Sequence, residues 1–195
     1  MSNPNHPKTG SQIKVDPIKN LKDVKSIKKL LKDNPRDFAL FVIGINTNLR
    51  ASDLVNITVQ QVQDLKAGND LVLTEQKTGK ERRITLNAAC VDAIDNLLGS
   101  QALEDDDPLF KSRKGDQLCV QSVHRLVKGW CNQINLKGNY GSHSLRKTWG
   151  YHQRVTFGAD LPTLMTCFNH STQRQTLGYL CVQPDEIKGI YQNEI

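Results

Sequence analysis

Tyr179 follows His170 by nine positions across the polar, helix-compatible stretch HSTQRQTLGY. A phenol becomes a nucleophile when its proton is removed, and an imidazole can donate or accept in the same reaction. Alone the pair says little, because most tyrosines sit in a core or at its rim with a satisfied hydroxyl. A second group lies in GSHSLRKTWG, residues 141–150. There His143 and Arg146 are three apart, so a helix puts them on one face near its N-terminus, where backbone N–H groups attract anions. A histidine, a guanidinium fork and a helix start together suit a phosphate. A third is NTNLRASDL, residues 46–54. Arg50 stands where an apolar helix gives way to a turn, either as a helix-terminal ion pair or as a guanidinium aimed into a cleft. Asp53, three residues on, could hold its fork. The fourth is TEQKTGKERRITL, residues 74–86, whose turn offers Lys77 or Lys80 as a mobile ammonium, with Arg82 and Arg83 adding charge. A solvated hairpin tip is the commoner fate of such a turn.

These groups need a frame. Apolar spacing predicts a helix over Leu21–Lys32 with Val24, Ile27 and Leu31 on one face. Asn34 and Pro35 stop it and open a second helix with Phe38, Phe41, Val42 and Ile45 as its stripe. A short helix over Ser52–Ile57, capped by Ser52, follows Arg50. Asp70–Thr74 and Arg82–Leu86 read as two strands around the turn at Gly79. Asn87 caps a helix with Val91, Ile94, Leu97 and Leu98 inward. The acidic loop Glu104–Pro108 reads as solvated. Another helix covers Val120–Ile134, with Val123, Val127, Trp130 and Ile134 buried. Further helices open at His143, cover Leu161–Phe168, run from a Ser171 cap to Tyr179, and finish with Asp185–Asn193 after Pro184. The fold class expected is α+β, mainly α, with one small antiparallel hairpin or sheet.

The 195 residues are enough for one domain with a substantial core. The start carries no apolar signal segment, and no apolar run approaches membrane-spanning length. The five cysteines, at 90, 119, 131, 167 and 181, show neither a CxxC pair nor zinc spacing, and read as reduced structural thiols. The expected location is cytoplasmic. The formal net charge of +6 is uneven: residues 1–32 hold eight Lys and two Asp, while the remainder is balanced at eighteen basic and eighteen acidic residues. That basic excess reads either as a solvated tail and helix face or as an arm that neutralises nucleic-acid phosphate.

The order of these parts is more informative than any one of them. An arginine before a short helix, a lysine in a hairpin, HxxR at a helix start, a second histidine and then a tyrosine resemble the catalytic domain of the tyrosine recombinases, the phage-integrase-like family. The resemblance runs from about Leu21 to Leu180. NLRASDL resembles the family's first-arginine box, HSLRKTWG its HxxR box, and FNHSTQRQTLGY its closing box, which is the most specific. Two departures stand out. Asn169 occupies the place of the usual glycine before the second histidine, and Asp53 that of the usual glutamate. Most members also carry an N-terminal helical domain that closes around DNA. The expected organisation here is a flexible basic leader over 1–19, the catalytic domain over 20–180, and a C-terminal tail helix over 181–195. The chain is then expected to be a separately expressed catalytic domain or a compact member such as the fimbrial-phase invertases.

The resemblance implies a DNA breaking-rejoining fold and a specific chemistry. Tyr179 attacks a DNA phosphodiester and expels the 5′-hydroxyl, leaving a covalent 3′-phosphotyrosyl ester, with no cofactor and no metal required. Arg50 and Arg146 meet the charge that grows on the non-bridging oxygens. His170 donates to the same oxygens, Lys77 rather than Lys80 protonates the leaving oxygen, and His143 handles the nucleophile's proton. Asp53 supports Arg50. Lys80, Arg82, Arg83, Lys147 and Arg174 are expected DNA contacts. Tyr140, Tyr151 and Tyr191 are the rival phenols. Leu180, Val182, Ile187, Ile190 and Tyr191 form either a face that docks on a neighbouring subunit or a tail folded on its own domain. The implied partner is a double-stranded recombination site, bound by a homo-oligomer, a tetramer on DNA and a monomer or weak oligomer when free. The protein would be nucleoid-associated. Type IB topoisomerase-like relaxation and a non-cleaving DNA-binding accessory role are the alternative functions.

Overall fold

A computed structural model describes residues 15–180, 188 and 191–194. Its elements run α1 (Leu21–Leu31), α2 (Pro35–Asn46), α3 (Ala51–Val55), β1 (Asp70–Thr74), β2 (Glu81–Thr85), α4 (Ala88–Ser100), α5 (Val120–Gln133), α6 (Ser142–Val155), α7 (Leu161–Phe168) and α8 (Gln173–Leu180). The architecture is mainly helical with one two-stranded antiparallel sheet, as the periodicities predict. No described helix is long and apolar enough to cross a membrane.

The helix starts follow from capping chemistry. Asn20, Asn34, Asn87 and Asp160 each accept a hydrogen bond from a first-turn N–H. The Ser52 cap is not formed. Arg50 occupies the N-cap of α3 with no side-chain cap bond, and the Ser52 hydroxyl instead donates to Asp53 at 3.4 Å. At α8 the capping oxygen is that of Thr172, which accepts from the Gln175 N–H at 3.4 Å, while Ser171 bonds the Gln175 side chain.

The second helix is more than a stripe. Residues 39–44 are buried without interruption, because α2 packs against α1, α3, α4 and α6. Gly44 permits the close approach of α6, since a Cβ there would stand 2.6 Å from Leu145 Cδ1. The core is double. One cluster unites α1–α5, the hairpin and Leu145. A second, smaller one consists of Leu164, Phe168 and Leu180, with Trp149 and Tyr179 packed on it. Helix α6 bridges the two clusters through Leu145 and Trp149. Burying Leu180 here, at 0% exposure, removes it from the docking face expected of the tail. Val182, Ile187 and Ile190 lie outside the described residues, and Tyr191 is exposed.

Residues 1–14 lie outside the described part, but Val15 and Ile18 are buried. Asp16 exchanges hydrogen bonds with Asn139 at 2.7 and 2.9 Å. The Ile18 N–H donates to Thr148 Oγ1 at 2.8 Å, and its carbonyl lies 3.0 Å from His152 Nε2. Both partners are on α6, so residues 15–20 strap onto the helix that carries His143 and Arg146.

Candidate active site

The strand pattern supplies one wall of the site. Leu71, Leu73 and Glu75 alternate inward, and antiparallel pairing sets Leu73 opposite Arg82. Arg82 and Ile84 therefore share the inner parity of β2, while Glu81, Arg83 and Thr85 face out. Arg83 pairs with Glu81 at 3.0 Å in the open. The Arg82 guanidinium turns inward instead. It bonds Glu75 Oε1 at 2.9 Å, the Cys167 carbonyl at 2.8 Å and the Asn48 carbonyl at 3.3 Å.

Glu75 is fully buried and is the carboxylate around which this wall is built. Its Oε2 lies 2.9 Å from Arg50 Nη1 and accepts from Thr78 Oγ1 at 2.8 Å and Asn169 Nδ2 at 3.3 Å. Burial pushes its carboxyl up, but the hydrogen bonds from Thr78, Arg50 and Arg82 outweigh it and hold the pKa at about 2. Asp53, expected to orient Arg50, is the more distant partner at 3.7 Å, and its Oδ1 accepts the Gln76 N–H. The signal for Glu75 was in the sequence. A carboxylate on the inward parity of a strand has to find a cation.

Arg146 lies one turn into α6 and is 1% exposed. Its two terminal nitrogens donate to the Asn48 and Phe168 carbonyls at 2.6 and 2.8 Å. Asn48 itself sits in the left-handed region at φ 55, which turns the chain after α2. The Arg146 guanidinium carbon stands 5.0 Å from the centre of the Phe168 ring and 5.5 Å from that of Tyr179. Burial and the positive charges of Arg50 and Arg82 push its pKa down, though a guanidinium stays charged at neutral pH.

Tyr179 lies near the end of α8, half-buried, with its hydroxyl 3.4 Å from His143 Nδ1. Its ring meets Phe168 and His170, each 5.3 Å away between centroids, and Lys147 Nζ stands 6.0 Å from its centre. Lys147, expected to contact DNA, is buried at 8% exposure. The rival phenols are placed differently. Tyr140 is buried with its hydroxyl on the Lys137 carbonyl, and burial raises its pKa to about 12. Tyr151 meets His152 edge-on, and Tyr191 is 85% exposed.

Asn169 closes α7 at φ 52, the left-handed region that a glycine would also adopt. The turn it makes sets His170 against Phe168, stacked at 5.0 Å. His170 Nδ1 lies 3.1 Å from Thr176 Oγ1. A cleft of about 1230 Å³ opens over these groups, lined among others by Arg50, Lys77, Lys80, His170, Arg174 and Tyr179. His143 reaches it through the Tyr179 hydroxyl, and Arg146 packs under the aromatic rings. The structure thus gathers Arg50, Lys77, His143, Arg146, His170 and Tyr179 in one region, while Arg83 lies on the outer face of the hairpin.

Burial, reinforced by the positive charges of Arg146, Arg50 and Arg82, holds the His170 pKa at about 4 instead of 6.5. An unfolded chain takes up a proton near 6.5 that the native state refuses until about 4. Stability from this group is therefore full above pH 6.5 and falls as pH drops towards 4. His143 is also pushed down, by burial and by Arg146 and Lys147, so it adds to the same acid sensitivity. In His170→Gln, thermal melts between pH 7 and 5 are expected to lose less Tm than wild type. Parallel slopes would contradict this origin.

Gly150 offers a packing test. A Cβ there would stand 2.6 Å from Phe168 Cζ, and Phe168 is held by Trp149 edge-on and His170 face-on. Overpacking of this kind costs about 1–3 kcal/mol against a helix-propensity gain of about 1 kcal/mol. Gly150→Ala is therefore expected to lower stability in urea titration, and to lower any activity of Tyr179 at temperatures where the fold remains intact. A variant of wild-type activity would show that Phe168 can yield without disturbing the site.

Residues 19–186 match the family model described as "Phage integrase family". The chain is 32% identical over 182 residues to "Probable integrase/recombinase YoeC" of Bacillus subtilis, covering 91% of this chain and 96% of that protein. It is 32% identical over 170 residues to "Tyrosine recombinase XerC" of Caldanaerobacter subterraneus subsp. tengcongensis, covering 83% of this chain but 47% of that protein. It thus spans nearly all of the first relative and about half of the second. Among solved structures, the XerA recombinase superposes with a TM-score of 0.76 at 17% identity, covering 98% of this chain and 68% of that one. A post-cleavage complex of the XerH site-specific recombinase with palindromic difH substrate gives 0.76 at 18% identity, covering 93% of this chain and 53% of that one.

Proposed function

The chain belongs to the phage integrase family, and on that premise we propose that it is a tyrosine-type site-specific recombinase that cuts and rejoins double-stranded DNA. The observation that carries this reading is the Tyr179 hydroxyl 3.4 Å from an imidazole, at a cleft lined by Arg50, Lys77 and His170.

The proposed step is an in-line displacement. The Tyr179 oxygen forms a bond to phosphorus while the bond from phosphorus to the 5′-oxygen breaks. The phenol proton passes to His143 Nδ1. His143 is suited to accept it because its depressed pKa keeps the ring neutral. The leaving oxygen takes a proton from Lys77, which is exposed at the hairpin tip and free to swing over the cleft. Energy of the broken ester is retained in the 3′-phosphotyrosyl bond, so the reverse attack by a 5′-hydroxyl reseals the strand.

Charge on the non-bridging oxygens is met by Arg50 and Arg146, held in place before the reaction so that little reorganisation is needed. Neutral His170 adds a donor. If Thr176 donates to Nδ1, the proton resides on Nε2, where it can bond a phosphate oxygen. Lys80, Arg83 and Arg174 are exposed and suited to the flanking backbone, which positions DNA without reading sequence. Arg82 and Lys147 serve the site from within. The partner is double-stranded DNA. Solved relatives include a lambda integrase dimer bound to a core site and the XerH complex with its substrate. By that analogy this chain works as a homo-oligomer on its site.

The test is covalent trapping. On a site nicked just beyond the cleavage position, the released fragment diffuses away and the enzyme stays attached. Denaturing electrophoresis is expected to show a protein–DNA adduct with wild type. Binding without adduct would favour a non-cleaving accessory protein. Relaxation of a plasmid that lacks any recombination site would favour a topoisomerase.

A further inference from the structure

Glu75 touches nothing in the proposed reaction, yet it joins three of the segments that carry it. Its Oε2 meets Arg50 at 2.9 Å, at the start of α3. The same oxygen accepts from Thr78 in the hairpin turn and from Asn169, the residue before His170. Its Oε1 pairs with Arg82 at 2.9 Å. Its own backbone closes the hairpin tip: the Glu75 N–H donates to the Lys80 carbonyl at 2.9 Å, and the Gly79 N–H to the Glu75 carbonyl at 2.8 Å. Lys77 lies inside the loop so closed.

We propose that Glu75 is a positioning residue for strand cleavage, holding one edge of the Arg50 guanidinium so that the other edge faces the scissile phosphate, while Arg82 offsets its charge. This rests on the recombinase reading above. Charge balance is the central reason. A lone carboxylate against Arg50 would cancel the charge the transition state needs. Here Glu75 is shared between two guanidiniums, and with the more distant Asp53 and the neighbouring Arg146 counted the group still keeps a net positive charge. Arg82 is fitted to that part because its second terminal nitrogen donates to the Asn48 and Cys167 carbonyls and its side chain is 10% exposed. It is therefore a counter-cation and not a surface contact. Asp53 is a poor substitute at 3.7 Å, with one oxygen committed to the Gln76 N–H.

The carboxylate also couples Arg50 to the hairpin and to the His170 turn, so displacing one displaces all. Arg50, Lys77 and His170 come from segments far apart in sequence, and Glu75, with Arg82 beside it, bonds to all three segments. The Arg146 fork is tied to the same frame by sharing the Asn48 carbonyl with Arg82.

The experiment is a double-mutant cycle on single-turnover cleavage of the nicked site at saturating enzyme, with DNA affinity and Tm measured alongside. Glu75→Gln keeps the shape but removes the charge. Its cleavage rate constant is expected to fall about 10²-fold, with DNA affinity within about threefold. In an Arg50→Lys background the same substitution is expected to cost less than about fivefold, because the fork it orients is gone. Glu75→Asp, one methylene too short to reach both guanidiniums, is expected to recover little. Three results would overturn the proposal: a Glu75→Gln rate near wild type, equal costs in both backgrounds, or a rate loss that disappears when the variants are assayed well below their Tm. Absence of any adduct with wild type would instead reject the recombinase reading itself, which keeps the two failures apart.

Discussion

Tyr179→Phe is expected to bind DNA as wild type does and to form no covalent adduct. The substitution removes one oxygen and little else. The ring keeps its contacts with Phe168 and His170, and the neighbouring Arg146 and Lys147 cations still face an aromatic surface. The fold should therefore persist, since the hydroxyl makes a single long hydrogen bond, to His143 at 3.4 Å. Loss of a nucleophile lowers rate by on the order of 10⁴-fold or more, so the adduct should vanish from denaturing gels at any practical time. An undiminished adduct would move the nucleophile elsewhere. Tyr140 is a poor replacement, with a pKa raised to about 12 and a hydroxyl donated to the Lys137 carbonyl.

The second large effect is expected at Arg146, where activity and stability should move apart. Among the described residues no carboxylate pairs with this buried guanidinium. It is held by two carbonyls and lies near Arg50 and Arg82, whose charges oppose it. A charge in that position is costly to fold around. Arg146→Gln retains an amide that can donate to the Phe168 carbonyl, while the Asn48 carbonyl keeps Arg82 at 3.3 Å. Neither carbonyl is then left unpaired, so the cost of about 1–3 kcal/mol for an unsatisfied buried acceptor is avoided, and relief of like-charge repulsion favours the variant. Cleavage is expected to fall about 10²–10³-fold, with Tm unchanged or higher and DNA affinity largely kept. A parallel loss of binding and cleavage would make Arg146 mainly a docking residue. A steep fall in Tm would make it mainly structural.

Both effects trace to a site assembled by burial. The acid sensitivity expected of His170, the crowding at Gly150 and the shared carboxylate of Glu75 have the same origin. Arg146 and His170 pack against aromatic rings, and Glu75 is enclosed by two guanidiniums. Their partners then decide their charge, orientation and tolerance to change.

Much of this was legible along the chain. Helix positions followed from apolar spacing and Asn caps, because those signals act within a few residues of the group they serve. The order of Arg50, Lys77, His143, Arg146, His170 and Tyr179 was legible for a related reason. Each sits at or within a turn of an element boundary, and boundaries are set locally. The readings that needed revision were also local but finely balanced. Ser171 and Thr172 show this as neighbouring hydroxyls that compete for one cap, and Ser52 turns its hydroxyl to Asp53 instead of capping α3. Strand parity put Glu75 on the buried face, and a charge there demanded a partner, though nothing local named one.

What only the tertiary structure decided was which charges meet. Arg82 and Arg83 are adjacent and chemically identical, yet one is locked under the hairpin and the other lies open to solvent. Asp53 is three residues from Arg50, but Glu75 is the nearer partner. Arg146 finds its acceptors at Asn48 and Phe168, and Ile18 docks on α6. The sequence by itself determined the kinds of groups and the elements that carry them, because backbone preferences and periodicity depend on near neighbours. Pairing across the fold depends on distance in space, and that distance exists only after the helices and the hairpin have packed.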